Sequence, residues 1–248
     1  MKIALIIAFH KQYAEWSKII HALRNQTVKA DKVIVALDSM DISPAFDQSD
    51  NIHVSRHDLH PNAYSRGIAI NNAIQEHCRD IDIIVTIDAD CTFPKNFIET
   101  YRDIYSGKLN KWSYVGWKMG ASIHCQVYVD SVFISKDQMK KVFVGPRYFI
   151  PEIKLIPEAV DTYDQLKMLS NCSRIGHRGF ENGTAAIMGC NMAFPKWIWD
   201  EVKFRENRKE DSRWWKEVQK KFPEVKSAPA PDSNNVLHFG TNGVGQYW

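Results

Sequence analysis

The sequence has few cysteines and no paired cysteine motif. Its 248 residues include five cysteines, which are scattered and form no C-x-x-C pair. An odd, scattered set argues against the disulfide framework of a small secreted domain and against a zinc site built from cysteine. Free thiols fit a reducing compartment, so we interpret the chain as a cytoplasmic protein.

Long hydrophobic runs and a strong charge bias are also missing. No stretch approaches the ~20 apolar residues that cross a bilayer as a helix, so the sequence predicts no transmembrane segment. Lys and Arg number 32 and Asp and Glu number 29, for a net charge of +3. This balance excludes a protein built mainly as a polycation.

The turn after the first predicted strand contains no glycine. It reads Ala8-Phe9-His10-Lys11-Gln12. Dinucleotide-dependent dehydrogenases carry G-x-G-x-x-G at this point, and sugar-nucleotide pyrophosphorylases carry a glycine-rich phosphate loop there. The sequence therefore disfavours both classes.

Apolar strands alternate with helical segments through the first hundred residues. Continuous apolar runs predict buried strands, and apolar residues three or four apart predict helices. Regular alternation predicts an α/β fold with a central, mostly parallel sheet and right-handed crossovers. The predicted strands are 3–9, 32–37, 51–55 and 81–87, and the predicted helices are 13–23, 65–78 and one opened by Pro94.

The second half of the sequence is less regular. Prolines interrupt residues 145–183, and Gly, Asn and Pro are frequent from residue 229 onward. With no repeat and no long linker, we predict one domain over 1–248, with a nucleotide-binding half (1–110) and an irregular half (111–248) that ends in a flexible loop. The predicted elements of this half are strands at 112–117 and 126–134 and helices at 136–142 and 209–222, and residues 185–194 are apolar with Gly189 among them.

Two carboxylates stand at the end of a predicted buried strand. Asp88 and Asp90 follow the apolar run 83–87 and are separated by one alanine. In open α/β sheets, ligands bind beyond the carboxyl ends of the strands. Two carboxylates there repel each other unless a cation or hydrogen-bond donors lie between them. Because oxygen ligands favour Mg²⁺ or Mn²⁺, the pattern predicts a divalent metal site, although an Asp-rich turn has the same sequence.

The same segment fits a second family. Asp88-Ala89-Asp90-Cys91-Thr92 resembles the D-x-D-x-T motif of haloacid-dehalogenase-like phosphatases, in which the first aspartate accepts a phosphoryl group. That motif ends the first strand of its fold, whereas three predicted strands precede it here. The family's later G-D-x-x-x-D motif is also absent. Both departures count against a phosphatase, which we keep as an alternative.

The order of the motifs resembles family 2 glycosyltransferases, which are nucleotide-sugar-dependent, inverting enzymes with the GT-A fold. That family opens with an apolar strand, a helix ending in a Q-T pair and a strand ending in Asp. An Arg-bearing helix, a D-x-D strand, a G-G-N segment and an E-D pair at a helix start follow. The residues that match are Gln26-Thr27, Asp38, Asn62-Ala63-Tyr64 with Arg66, Asp88-Ala89-Asp90, Gly189-Cys190-Asn191, Glu210-Asp211 and His238. They keep the family's order over roughly residues 3–240.

The chain departs from the family's pattern at several points. Asp38 is followed by Ser-Met rather than Gly-Ser, and Cys190 replaces a glycine. The Q-x-x-R-W signature of processive polysaccharide synthases is absent. With no predicted membrane helix either, the resemblance implies an enzyme that adds a single sugar, with a single Rossmann-like GT-A domain and an acceptor-binding back half.

The resemblance implies a role for each matched residue. Asp90 would bind the metal, Mn²⁺ or Mg²⁺, and Asp88 would hold the ribose and the metal's waters. His238 would complete the coordination if the tail folds over the donor. Asp211 would be the general base that accepts the proton of the acceptor hydroxyl, with Glu210 in support. Four residues would contact the nucleotide part of the donor: Ala8, His10, Asp38 and Arg66.

Simpler interpretations of these residues stay open. His238 can be a hydrogen-bonded loop histidine, Arg66 a surface residue of a helix, and Asp211 a helix cap. The chain can also be a module that binds a nucleotide sugar without turnover.

No motif identifies the acceptor. Residues 203–226 hold nine Lys/Arg and five Asp/Glu, which suits nucleic acid carrying a hydroxymethylated base, as in some phage glycosyltransferases. A solvated helix face has the same composition. A saccharide, a lipid-linked glycan and a protein are the other acceptors considered. A UDP-sugar is the expected donor because uridine is frequent in the family.

Overall fold

Strands and helices alternate through the first hundred residues of the computed structural model, as the sequence predicts. The structure describes residues 1–13, 16–39, 41–58, 65–108, 191–206, 210–223 and 225, and the backbone of 122–124, 132–133, 142–144, 148–150, 227–229 and 237–238.

Five helices and twelve strands lie in these described ranges. The helices are α1 (Trp16–Arg24), α2 (Arg66–His77), α3 (Phe97–Tyr105), α4 (Lys196–Glu201) and α5 (Glu210–Lys221). The strands are β1 (Ile3–Phe9), β2 (Lys32–Asp38), β3 (Ile52–His57), β4 (Ile83–Asp88), β5 (Cys91–Thr92), β6 (Ser122–His124), β7 (Val132–Phe133), β8 (Val142–Val144), β9 (Tyr148–Ile150), β10 (Asn191–Pro195), β11 (Ser227–Pro229) and β12 (Leu237–His238).

Seven strands form the main sheet, in the order β11-β6-β10-β4-β1-β2-β3. β1 pairs in parallel with β2 and with β4, and β2 pairs in parallel with β3. β10 is antiparallel to both of its neighbours, β4 and β6. The mostly parallel α/β sheet expected from the sequence is therefore confirmed, with one reversed strand beside β4.

Helices cover both faces of this sheet, which explains the uninterrupted apolar run of β1. Ile3, Leu5 and Ile7 pack on the face covered by α1 and α3. The residues between them, Ala4, Ile6 and Ala8, pack on the opposite face against α2, α4 and α5. Because every position of β1 is buried, no polar alternation is left in its sequence.

Most predicted element bounds agree with the structure to within a few residues. Residues 3–9 form β1 as predicted, and the helix predicted at 209–222 is α5. The helix expected to open at Pro94 begins instead at Phe97, whose N–H donates to the Pro94 carbonyl at 3.1 Å. Pro94 thus lies in the turn before α3 rather than in its first turn.

Several predictions of the second half fall outside the described residues. These are the strand at 112–117, most of the strand at 126–134, and the helix at 136–142 apart from Val142, which begins β8. The single-domain organisation and the loop after residue 238 stay predictions for the same reason. No helix in the described part of the chain has the length and apolar character needed to cross a membrane.

The Q-T pair joins the end of α1 to the segment before α3. The buried Gln26 side chain donates to a carbonyl of α1 and to the Pro94 carbonyl at 2.9 Å, and it accepts from the Ile98 N–H at 3.1 Å. The Thr27 hydroxyl donates to the Glu99 carboxylate at 2.7 Å. The pair therefore anchors the segment that follows Asp88 and Asp90.

Candidate active site

The candidate site lies at the carboxyl ends of β1 and β4. In the sheet, β2 and β3 follow β1 on one side, and the next strand of the chain, β4, pairs with β1 on its other side. Such a reversal of strand order opens a crevice beyond the strand ends, where ligands of open α/β sheets bind. Ala8 and Asp88 are neighbours in register there, and the Ala8 carbonyl accepts from the Ala89 N–H at 3.0 Å.

Asp88, the last residue of β4, faces the side of the sheet that carries α2 and α5. Side chains alternate along a strand, and Ile84, four residues earlier, packs in the cluster of that face. The Asp88 side chain is 14% exposed. Asp90 follows after one residue and is partly exposed. The two carboxylates thus lie at the rim of the crevice, as the sequence predicts.

Arg66, the first residue of α2, lies between carboxylates from two other elements. Its side chain is only 4% exposed, its Nε donates to Oδ1 of Asp88 at 2.5 Å, and its Nη1 donates to Oε1 of Glu210 at 3.3 Å. Burial opposes its charge, but the carboxylates of Asp88, Glu210 and Asp211 outweigh burial and raise the pKa of Arg66. Arg66 is therefore a buried, permanently charged residue rather than a surface residue of its helix.

Close packing of α2 against the chain before α5 makes this contact possible. A Cβ atom at Gly67 would lie 2.5 Å from the Arg205 carbonyl oxygen and 3.2 Å from Cβ of Glu210. One turn further along α2, Asn71 donates to the Phe204 carbonyl at 2.8 Å and accepts from the Phe204 N–H at 3.1 Å. Only glycine at 67 leaves room for the helix start that carries Glu210.

Glu210 and Asp211 occupy the first turn of α5, where the helix dipole favours negative charge. Burial raises the pKa of Glu210, the charges of Asp211 and Asp88 add to the rise, and Arg66 opposes it. Oδ1 of Asp211 accepts from the Ser212 N–H at 2.5 Å and from its hydroxyl at 3.2 Å. Trp214 anchors this helix in the core at 0% exposure.

A second group of polar residues follows the ends of β1 and β2. Asp38 is buried at the end of β2, and Nδ1 of His10 lies 3.1 Å from Oδ2 of the buried Asp41. Arg56 donates to the carbonyls of Ser39 and Asp41 and so holds the loop after β2. Asp41 was not among the predicted site residues, and its signal was a second aspartate three residues after the strand-ending one.

His238 reaches the same region through a short strand pair. β12 is antiparallel to β5, with His238 opposite Cys91, the residue that follows Asp90. Among the described side chains, which do not include that of His238, no three acidic, histidine or cysteine groups are close enough to hold a metal ion. The carboxylates of Asp88 and Asp90 are nevertheless oxygen donors of the kind that suits Mn²⁺ or Mg²⁺.

The structure thus gathers the predicted residues into two groups at one edge of the sheet. Arg66, Asp88 and Glu210 are in direct contact, with Asp90 and Asp211 next to them in the chain. Ala8, His10 and Asp38 follow the two neighbouring strands. Two family-like segments, 62–64 and 189–190, lie outside the described residues. The asparagine after the latter, Asn191, is buried and accepts from the Tyr101 hydroxyl at 2.7 Å.

The structure resembles solved glycosyltransferase structures over almost its whole length. It superposes on S. aureus TarS (residues 1–349) with a TM-score of 0.51 and 11% identity, covering 97% of this chain and 60% of that one. It superposes on the mannosyltransferase PcManGT from Pyrobaculum calidifontis with a TM-score of 0.52 and 12% identity, covering 99% of this chain and 58% of that one. With glucosyl-3-phosphoglycerate synthase from Mycobacterium tuberculosis the TM-score is 0.55 and the identity 11%, and the match covers 99% of this chain and 74% of that one.

These similarities confirm the GT-A fold. The chain spans about three fifths of the TarS fragment. No protein-family model and no curated protein matches the sequence. The PcManGT structure contains GDP-Man and Mn²⁺, the M. tuberculosis synthase contains Mn²⁺, UDP and phosphoglyceric acid, and TarS has been solved with UDP-GlcNAc.

Proposed function

We propose that this chain is a metal-dependent glycosyltransferase that moves one sugar from a UDP-sugar to an acceptor hydroxyl with inversion. The convergence of Asp88, Arg66 and Glu210 at the strand-order reversal of a GT-A sheet carries this proposal. Solved structures of the same fold that contain nucleotide sugars and Mn²⁺ support it.

The donor side of the site is built from the ends of β1, β2 and β4. Asp38 and His10 would contact the nucleobase, and Asp41 would orient the His10 ring through Nδ1. Asp88 and Asp90, with His238 from β12, would hold the divalent cation. A bound Mn²⁺ or Mg²⁺ supplies Lewis-acid stabilisation of the charge that develops on the departing diphosphate.

The acceptor side is the first turn of α5. Asp211 would accept the proton of the acceptor hydroxyl while the hydroxyl oxygen bonds to the anomeric carbon and the bond to the diphosphate breaks. The two donors of Ser212 orient the Asp211 carboxylate for this role. Glu210 is held by Arg66 instead, so it supports the site without accepting the proton. Attack opposite the leaving group inverts the anomeric configuration.

The alternatives have less support. The phosphatase motif ends the first strand of its fold, whereas Asp88 ends β4. For a nucleic-acid acceptor, Arg205 and Lys221 of the basic segment are already paired with Glu217 and Glu201, each at 2.6 Å. These pairs reduce the positive charge available to a phosphate backbone. A saccharide, lipid-linked glycan or protein is therefore the acceptor class we propose.

The first experiment is a thermal-shift screen of nucleotide sugars with Mn²⁺ and with EDTA. We expect a UDP-sugar to raise the melting temperature more with Mn²⁺, because a cation relieves the repulsion between the aspartates and the diphosphate. Asp90→Asn should remove the difference, whereas Asp200→Asn, on the surface of α4, should keep it. An equal shift in EDTA would overturn the metal assignment. Binding without release of UDP in the presence of an acceptor panel would indicate a non-catalytic module.

A further inference from the structure

Arg66 ties the end of β4 to the start of α5 through one shared charge. Its Nε contacts Asp88 at 2.5 Å and its Nη1 contacts Glu210 at 3.3 Å. The two carboxylate side chains are 14% and 15% exposed, and that of Arg66 is 4% exposed. Because little water reaches the three groups, each ionic contact is stronger than it would be on the surface.

Because one guanidinium bonds both carboxylates, the Arg66–Asp88 and Arg66–Glu210 contacts depend on each other. A cation that engages Asp88 repels the guanidinium and competes with it for the carboxylate. Arg66 has little freedom to leave the site, because Gly67 packs against the Arg205 carbonyl and fixes the start of α2. With a cation on Asp88, the guanidinium would therefore shift toward Glu210, and the effect would pass into the first turn of α5, where Asp211 lies.

We propose that Arg66 is a positioning residue through which occupancy of Asp88 orders the start of α5. Loading of the donor side then strengthens the Arg66–Glu210 contact and holds Asp211 in place for the acceptor. This inference rests on the proposed function and deepens it, since it couples the affinities of the donor and acceptor sides. Such coupling is reciprocal: an acceptor bound at α5 would raise donor affinity by the same factor.

Amide hydrogen exchange of the full chain tests this coupling without measuring turnover. The first four N–H groups of a helix have no helical partner, so the informative amides are those of residues 214–217, which bond the carbonyls of residues 210–213. The probes are Mn²⁺ alone and Mn²⁺ with UDP, each compared with EDTA. In the wild type we expect UDP with Mn²⁺ to slow exchange at residues 214–217 by about fivefold or more, the lower end of typical coupling.

Three variants separate coupling from folding. Arg66→Met removes the shared charge at similar volume, Arg66→Lys keeps the charge without the two-pronged geometry, and Glu210→Gln removes only the negative charge at the start of α5. At concentrations of UDP and Mn²⁺ that saturate each variant, all three should lose the slowing at residues 214–217. Arg24→Met removes a half-exposed guanidinium that contacts Asp47 and Asp50, and this variant should keep the wild-type response. If Arg66→Met fails to fold, Glu210→Gln carries the test alone.

The outcomes are distinct. A wild type that binds UDP with Mn²⁺ but shows no change at residues 214–217 overturns the inference and leaves the proposed function standing. The inference also fails if Glu210→Gln keeps the full response. A wild type that binds Mn²⁺ but no nucleotide overturns the proposed function, and slowing by Mn²⁺ alone then supports the Arg66 coupling. Absence of binding by either probe overturns both.

Discussion

Arg66 and Asp88 form a buried ion pair, with Nε 2.5 Å from Oδ1, that links the first residue of α2 to the last residue of β4. Breaking a buried pair by removing one partner leaves an uncompensated charge, which typically costs about 3–5 kcal/mol. Arg66→Met should therefore lower the free energy of unfolding by about 3 kcal/mol or more. Urea denaturation with and without the substitution measures this difference.

The matched control is Arg24→Met. Arg24 also contacts two aspartates, Asp47 and Asp50, but its side chain is 49% exposed. Exposed ion pairs contribute little because water and salt screen them. The control should therefore change stability far less than Arg66→Met. Equal losses in the two variants would show that the burial of Arg66 has no energetic consequence.

Gln26 is expected to contribute to stability rather than to ligand contact. Gln26→Leu keeps the volume but leaves the Pro94 carbonyl and the Ile98 N–H without this buried partner. Each unpaired buried group costs about 1–3 kcal/mol, so the free energy of unfolding should fall by at least that amount. Asn25→Leu is the control, because Asn25 is exposed beside it. A loss for Asn25→Leu as large as for Gln26→Leu would contradict the assignment.

Local patterns carried most of the correct predictions from the sequence. β1 agreed over residues 3–9 because a strand buried on both faces is a continuous apolar run, and such a run is visible without knowing its partners. The helix predicted at 209–222 was confirmed as α5, because its apolar residues, among them Trp214 and Val218, repeat at helical spacing. The helix start predicted at Pro94 was wrong by a turn, because proline tolerates both the first turn of a helix and the turn before it.

Contacts between distant elements were beyond the sequence. The resemblance named Arg66 and Glu210, but their contact depends on how closely α2 approaches the chain before α5. That approach depends on the missing side chain of Gly67, which no periodicity reveals. The pairing of His10 with Asp41 likewise depends on the path of the loop after β2, which Arg56 holds through backbone carbonyls.

His77 should make stability depend on pH near neutrality. Burial lowers the pKa of His77 below its ordinary 6.5, and the charges of His53 and Lys32 act in the same direction, opposed by Glu76. Between the lowered pKa and 6.5 the unfolded chain binds more protons than the folded one, so stability rises with pH there. The stability that the folded chain gains by keeping His77 neutral is therefore complete above the ordinary pKa, and it is lost as the pH falls toward the lowered pKa of the folded state.

The measurement is the free energy of unfolding of wild type and His77→Gln between about pH 7.5 and 5.5, which spans the ordinary histidine pKa. Gln at 77 cannot titrate, so the variant should lose less stability than wild type on acidification. Gln75→Ala, at an exposed, non-titrating position of the same helix, should follow the wild-type curve. A His77→Gln curve parallel to that of wild type would show that His77 does not cause the dependence.

The general base is tested by Asp211→Asn. Asn keeps the shape of the side chain and can still accept from Ser212 through its amide oxygen, so the start of α5 should be preserved. It cannot take the proton of the acceptor hydroxyl. Donor affinity and the melting temperature should therefore stay near wild type, while transfer falls by about 10²–10⁴-fold. Asp200→Asn on the surface of α4 should transfer at the wild-type rate.

The product's configuration tests the mechanism independently of this rate. If Asp211 activates the acceptor on the face opposite the diphosphate, one displacement occurs and an α-linked donor yields a β-linked product, which the anomeric proton coupling in NMR distinguishes. An α-linked product would exclude a single displacement from the opposite face, which would remove Asp211 as the base of such a step even if Asp211→Asn were slow. If Asp211→Asn transfers within a few-fold of the wild-type rate and yields a β-linked product, the reaction still inverts and Asp211 is only a helix cap. Only slow transfer by Asp211→Asn together with a β-linked wild-type product supports both halves of the proposal.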